Sequence, residues 1–102
     1  MNDTVTCIVA EDEALLRQAL VAELARAWPA LRIVEECEDG ASAVDALAEH
    51  QPDVAFLDIR MPGLTGLEVA AAAADASPRT RIVFVTAYDQ YAIDAFDRGA
   101  ID

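Results

Sequence analysis

Val54-Ala55-Phe56-Leu57-Asp58-Ile59-Arg60-Met61-Pro62-Gly63-Leu64-Thr65-Gly66 is the stretch on which the fold turns. Pro52 and Asp53 break the chain just before it. Residues 54–57 are all apolar and read as a short strand buried on both faces, as parallel strands covered by helices are. The strand ends on a carboxylate, Asp58. A proline and two glycines follow, the residue types a strand-to-helix joint uses. The alanine-rich segment 67–76 then reads as the helix.

The same unit recurs on either side. Residues 5–10 (V-T-C-I-V-A) read as a first strand, apolar on both faces, and from Glu13 the period changes. Leu16, Leu20, Leu24 and Ala27 form an apolar stripe, with Arg17, Glu23 and Arg26 expected to face water. Asp12 is the expected N-cap of that helix, and Pro29 follows its end. Residues 31–37 read as a second strand, less apolar and so expected at an edge. Residues 41–49 read as a second helix with Val44, Leu47 and Ala48 inward and Gly40 at its entry. Residues 82–85 form a fourth strand that leads to Thr86, and 91–98 a fourth helix stopped by Gly99. Alternating strands and helices predict an α/β fold with a doubly wound parallel sheet.

The chain of 102 residues has room for one domain, and its 55% hydrophobic and 25% charged composition suits a packed fold. No apolar run approaches the roughly 20 residues a membrane-spanning helix needs. Residues 1–4 do not begin a secretory signal. A cytoplasmic protein with no membrane contact is expected. The net charge of −12 would repel phosphate backbones, so direct nucleic-acid binding by this domain is not expected. All seven basic residues are arginines. Cys7 and Cys37 lack metal-ligand spacing and read as buried thiols. His50, the single histidine, is expected to end a surface helix, which argues against a His-based metal site or a Ser-His-Asp triad.

In open parallel sheets, ligands bind beyond the carboxyl ends of the strands. Three strands here end on polar groups: Glu11-Asp12, Asp58 and Thr86. Taken singly, each has a plain structural account, an acidic pair as an N-cap, an Asp as a loop cap, a Thr after an apolar strand. Together they place carboxylates where right-handed crossovers converge. Such a group repels itself without a cation, and oxygen-only ligands point to a hard divalent ion, Mg²⁺ above all.

Ile8-Val9-Ala10-Glu11-Asp12-Glu13, the 56–66 stretch with its D-x-x-M-P-x-x-x-G pattern, and Ile82-Val83-Phe84-Val85-Thr86-Ala87 resemble response-regulator receiver domains of two-component signalling. The resemblance covers the whole chain and implies a flavodoxin-like (CheY-like) sheet of order 2-1-3-4-5. It implies that Asp58 accepts a phosphoryl group from a sensor histidine kinase. Asp12 and Asp58 would ligate Mg²⁺ directly, Glu11 through water, and the Arg60 main-chain carbonyl would complete the set. Thr86 would turn its hydroxyl to the phosphate, beside the main-chain N–H of Ala87, while Met61, Pro62 and Gly66 shape the loop. The stretch 87–96 further resembles receivers joined to LytTR-type DNA-binding domains. Family members carry a lysine, preceded by an aromatic switch residue, at a fifth strand. Residues 1–102 contain no lysine, so a C-terminally incomplete receiver is expected, lacking the fifth strand, fifth helix and output domain. Such a piece is expected to dimerise or swap elements to recover burial. A phosphorylation-independent interaction module and an aspartate-nucleophile phosphatase are the competing readings. The phosphatase would want a second acid two residues past Asp58, where Arg60 stands.

Overall fold

The computed structural model describes residues 4–85. Within them the order is β1 (Thr6–Ala10), α1 (Ala14–Ala27), β2 (Arg32–Cys37), α2 (Gly40–His50), β3 (Val54–Asp58), α3 (Gly66–Ala76) and β4 (Arg81–Val85). Every strand pairing is parallel, in the order β2-β1-β3-β4. The expected elements that fall within the described residues are present with ends moved by one residue or two, and β2 lies at an edge as its composition implied. The expected fourth helix, Thr86 and Ala87 lie outside the described residues.

Alternation along the strands divides the apolar residues between two faces. Ile8, Ala10, Ala55 and Leu57 point to one, where α2 contributes Ala43, Ala46 and Leu47 and α3 contributes Val69 and Ala73. Cys7, Val9 and Phe56 point to the other, against Leu20, Val21 and Leu24 of α1. The first cluster is the larger, and no residue of α1 is fully buried. An apolar cavity of about 540 Å³ lies beside α1, lined by Leu24, Trp28, Phe56 and Val83 among others. Both cysteines are buried free thiols, as read from sequence. Among the described residues no helix is long and apolar enough to cross a membrane.

Four sequence expectations need correction. Asp12 does not cap α1: the N-cap is Glu13, with no side-chain cap bond. Arg17 does not face water; its side chain is 14% exposed and turns back over the β1–α1 loop. Ala27 and Ala48 are exposed, because the helices meet the sheet along Leu20, Val21 and Leu24 and along Ala43, Ala46 and Leu47.

The ends of the central strands are tied together. Thr6 N–H donates to Asp53 Oδ2 at 2.8 Å, Asp53 N–H to the Thr6 carbonyl at 3.0 Å, and Arg81 N–H to the Asp53 carbonyl at 2.9 Å. These bonds set β1, β3 and β4 in register at their starts. At the opposite end Ala10 pairs with Leu57, and Asp58 with Val85.

The loop after β3 packs by backbone proximity. A Cβ on Gly40 would meet the Leu64 carbonyl oxygen at 2.3 Å, so α2 starts against that loop only because residue 40 is glycine. Gly40→Ala is therefore expected to destabilise the fold by about 1–3 kcal/mol, the cost of overpacking. Urea unfolding of the two proteins measures this, and an unchanged midpoint would show that the loop can shift freely.

Candidate functional site

β1 carries the chain out of the sheet at Ala10, and Glu11 continues its pairing with β2 through an N–H bond to the Cys37 carbonyl at 3.0 Å. The register with β3 sets Glu11 beside Asp58. Both are buried, with 5% and 8% of their surface exposed, while Asp12 is half-buried. One carboxylate oxygen from each of Glu11, Asp12 and Asp58 lies within 4.8 Å of the others. The three acids singled out in the sequence thus converge in space.

Each has local support. Glu11 Oε2 accepts from the Glu13 N–H at 2.9 Å. The Asp58 carboxylate accepts from the N–H groups of Ile59 and Arg60, which favours its charged form. Gly66 N–H donates to the Ile59 carbonyl at 2.8 Å, closing the loop. A Cβ on Gly66 would lie 2.1 Å from the Asp58 carbonyl oxygen, so α3 can begin there only on glycine. Gly63, at φ 75°, takes the left-handed turn that glycine allows. Thr65 and Glu68 form a capping box at the start of α3. Met61 turns into the core and anchors the loop, whereas Pro62 is exposed.

Burial pushes the Glu11 carboxyl up from 4.5 to about 7, and the Asp58 charge and hydrogen bonds to Asp12 and Asp58 push the same way. Burial also raises Asp58, against hydrogen bonds from Glu11, Arg60 and Ile59 that lower it. Burial thus raises both carboxyls, and the two acids act on each other across the pocket. Three carboxylates crowded within 4.8 Å favour a cation, and an all-oxygen donor set fits a hard divalent ion.

Residues 7–102 match the response regulator receiver domain family. The chain belongs to that family. It is 51% identical over 102 residues to an uncharacterized response regulatory protein of Vibrio cholerae, across 100% of this chain and 39% of the relative. The signal receiver domain of NarL from Mycobacterium tuberculosis is 38% identical, with a TM-score of 0.78 over 90% of this chain and 73% of that one. TrrA of Thermotoga maritima, solved in complex with Mg(2+)-BeF, is 32% identical with a TM-score of 0.75, over 88% of this chain and 76% of that one. The chain thus spans less than half the length of curated relatives such as the Vibrio protein, at 39%, and full-length NarL, at 46%.

A receiver is a signalling domain rather than an enzyme, which removes the phosphatase reading. The residue that sequence reasoning missed in this receiver is Arg17. Its signal was present: a cation in the first turn of a helix faces the positive end of the dipole and needs an anion to hold it there. A second group of candidate ligands, Glu35 of β2 with Glu49 and His50 at the end of α2, lies apart from the pocket. There His50 Nε2 sits 2.9 Å from Glu35 Oε1, an ordinary pairing of a half-buried imidazole with a carboxylate.

The raised acid has a consequence for stability. A carboxyl whose folded pKa exceeds its unfolded value stabilises the fold while protonated, and that contribution is lost as pH rises through the folded value. Between about pH 5 and about pH 8 the receiver should therefore lose stability relative to Glu11→Gln, which cannot ionise. Thermal unfolding of both proteins across that range reads the difference. A constant gap would mean that Glu11 is not desolvated.

Proposed function

We propose that Asp58 is the phosphoacceptor of this receiver, in an Mg²⁺-dependent transfer from the phosphohistidine of a sensor histidine kinase. The convergence of the Glu11, Asp12 and Asp58 carboxylates within 4.8 Å at the carboxyl ends of β1 and β3 carries this reading. An Asp58 carboxylate oxygen attacks phosphorus, the P–N bond to the kinase imidazole breaks, and an acyl phosphate forms as the imidazole leaves. For this Asp58 must be ionised, and the bonds it accepts from the Ile59 and Arg60 N–H groups favour that state. When bound, Mg²⁺ would supply positive charge that offsets the developing negative charge of the transfer. Asp12, Asp58 and the Arg60 carbonyl would hold it directly and Glu11 through water. Met61, Pro62 and Gly66 keep the loop at the distance this needs.

Thr86 follows the residue that pairs with Asp58, so we assign its hydroxyl and the Ala87 N–H to the new phosphate. The added charge of about −1.5 to −2 would bias the segment after β4 and so switch an output domain. A cytoplasmic DNA-binding transcriptional regulator is the whole protein that fits, since NarL is named a probable transcriptional regulatory protein. The stretch 87–96 argues for a LytTR-type output, while a solved relative from Staphylococcus aureus is a DNA-binding regulator of the LuxR family. We also infer that this chain of 102 residues, produced alone, dimerises or swaps elements. Light scattering that showed a folded monomer at micromolar concentration would dispose of that inference.

Acetyl phosphate with Mg²⁺ should produce a retarded band in a phosphate-sensitive gel of the natural full-length protein, and Asp58→Asn should remove it. Chelating the metal should have the same effect as the substitution. A retarded band that persisted in Asp58→Asn would remove Asp58 from its role.

A further inference from the structure

Arg17 occupies a costly position. It lies in the first turn of α1, where the helix dipole opposes a cation, and its side chain is 14% exposed. Its partners compensate. Nη1 donates to the Glu11 carbonyl at 2.8 Å. Nε lies 3.6 Å from Glu36 Oε1, and Nη2 lies 4.0 Å from Glu38 Oε1. One planar fork thus joins the loop after β1, the start of α1 and the end of β2.

The irregular pairing of β1 with β2 makes this possible. Cys7 pairs with Ile33 but Ile8 with Glu35, so the register slips by one residue and Glu36 comes opposite Val9. Val9 belongs to the α1 face of the sheet. Glu36 therefore points to the side on which Arg17 lies, which an unbroken register would not allow.

We propose that Arg17 is a positioning residue for the acidic pocket, holding the Glu11–Asp12 peptide in the orientation that aims the Asp12 carboxylate at Asp58. The proposal rests on the Mg²⁺ reading given above. The Glu11 main chain is gripped at both ends, its N–H on the Cys37 carbonyl at 3.0 Å and its carbonyl on Arg17. With that carbonyl pinned, the peptide plane entering Asp12 is set, and with it the position of the Cα from which the Asp12 side chain leaves. Lysine could not do this, because one ammonium cannot reproduce the fork that spans a carbonyl and two carboxylates. The device lies one step behind the metal ligands, where orienting contacts act.

The test is an Mg²⁺ titration of the natural full-length protein, followed by calorimetry and by the amide shifts of Asp12 and Asp58. Arg17→Met should weaken Mg²⁺ binding about tenfold, the lower end of what losing an orienting partner costs. Arg17→Lys should recover only part of that loss. Leu24→Ala, on the same helix but away from the pocket, should lower the unfolding midpoint and leave Mg²⁺ affinity unchanged. Wild-type affinity in Arg17→Met would overturn the proposal, as would full recovery in Arg17→Lys, which would reduce Arg17 to a charge. An equal loss in Leu24→Ala would also overturn it by tracing the effect to stability. If Arg17→Met does not fold, the comparison of Arg17→Lys with the wild type decides. Failure of the wild type to bind Mg²⁺ at all would instead overturn the pocket reading and this inference with it.

Discussion

The in-register parallel pairing of β1 with β3 is the constraint on which the rest of the structure depends. Thr6 and Asp53 lock the two strands together at their starts, and equal numbers of residues then carry both to the same level at their ends. That level is where Glu11 and Asp58 stand. A slip of one residue would turn Phe56 and Leu57 to the wrong faces and part the two carboxylates. The apolar alternation that stabilises the sheet therefore also assembles the site. The same burial that fills the core around Leu57 desolvates the acids beside it, which is why the Glu11 carboxyl is pushed up to about 7.

The two faces of the sheet contribute differently. The face under α2 and α3 holds the larger cluster and packs to the backbone at Gly40 and Gly66. Those two close approaches leave the loop from Asp58 to Gly66 little room to move, so the N–H groups of Ile59 and Arg60 stay aimed at the Asp58 carboxylate. The opposite face is covered by α1 alone among the described residues, and only partly. Its main service to the site is Arg17, which ties the first turn of the helix to the Glu11 carbonyl. Rigidity thus reaches the pocket from below through glycine contacts and from the side through one guanidinium.

Much of this could be read along the chain. The apolar run before Asp58, the turn residues after it and the acidic pair after the first strand announced both the sheet and its carboxylates, because burial and turn geometry leave local traces in composition. Other features left weaker traces. The Thr65–Glu68 capping box leaves only a T-x-x-E spacing at the start of α3, a short pattern that many loops share. Asp12 looked like an N-cap because an acid before a helix usually is one, yet its carboxylate is drawn to the pocket and Glu13 takes the N-cap position. Helical periodicity set Arg17 on the wet side of α1, but periodicity ranks faces only by hydrophobicity. It carries no information on a carbonyl and two carboxylates brought near by other strands.

The sequence by itself determined the order of elements, the parallel sheet and the three carboxylates at strand ends, since each depends on residues within one strand–helix unit. Tertiary structure decided what depends on distance between units: the burial that raises the Glu11 and Asp58 carboxyls, the glycine contacts under the loop, and the slipped register that turns Glu36 toward Arg17. The physical reason is range. Propensity and burial act over a few residues, whereas desolvation, charge coupling and steric contact act across space, on groups that only the folded sheet brings together.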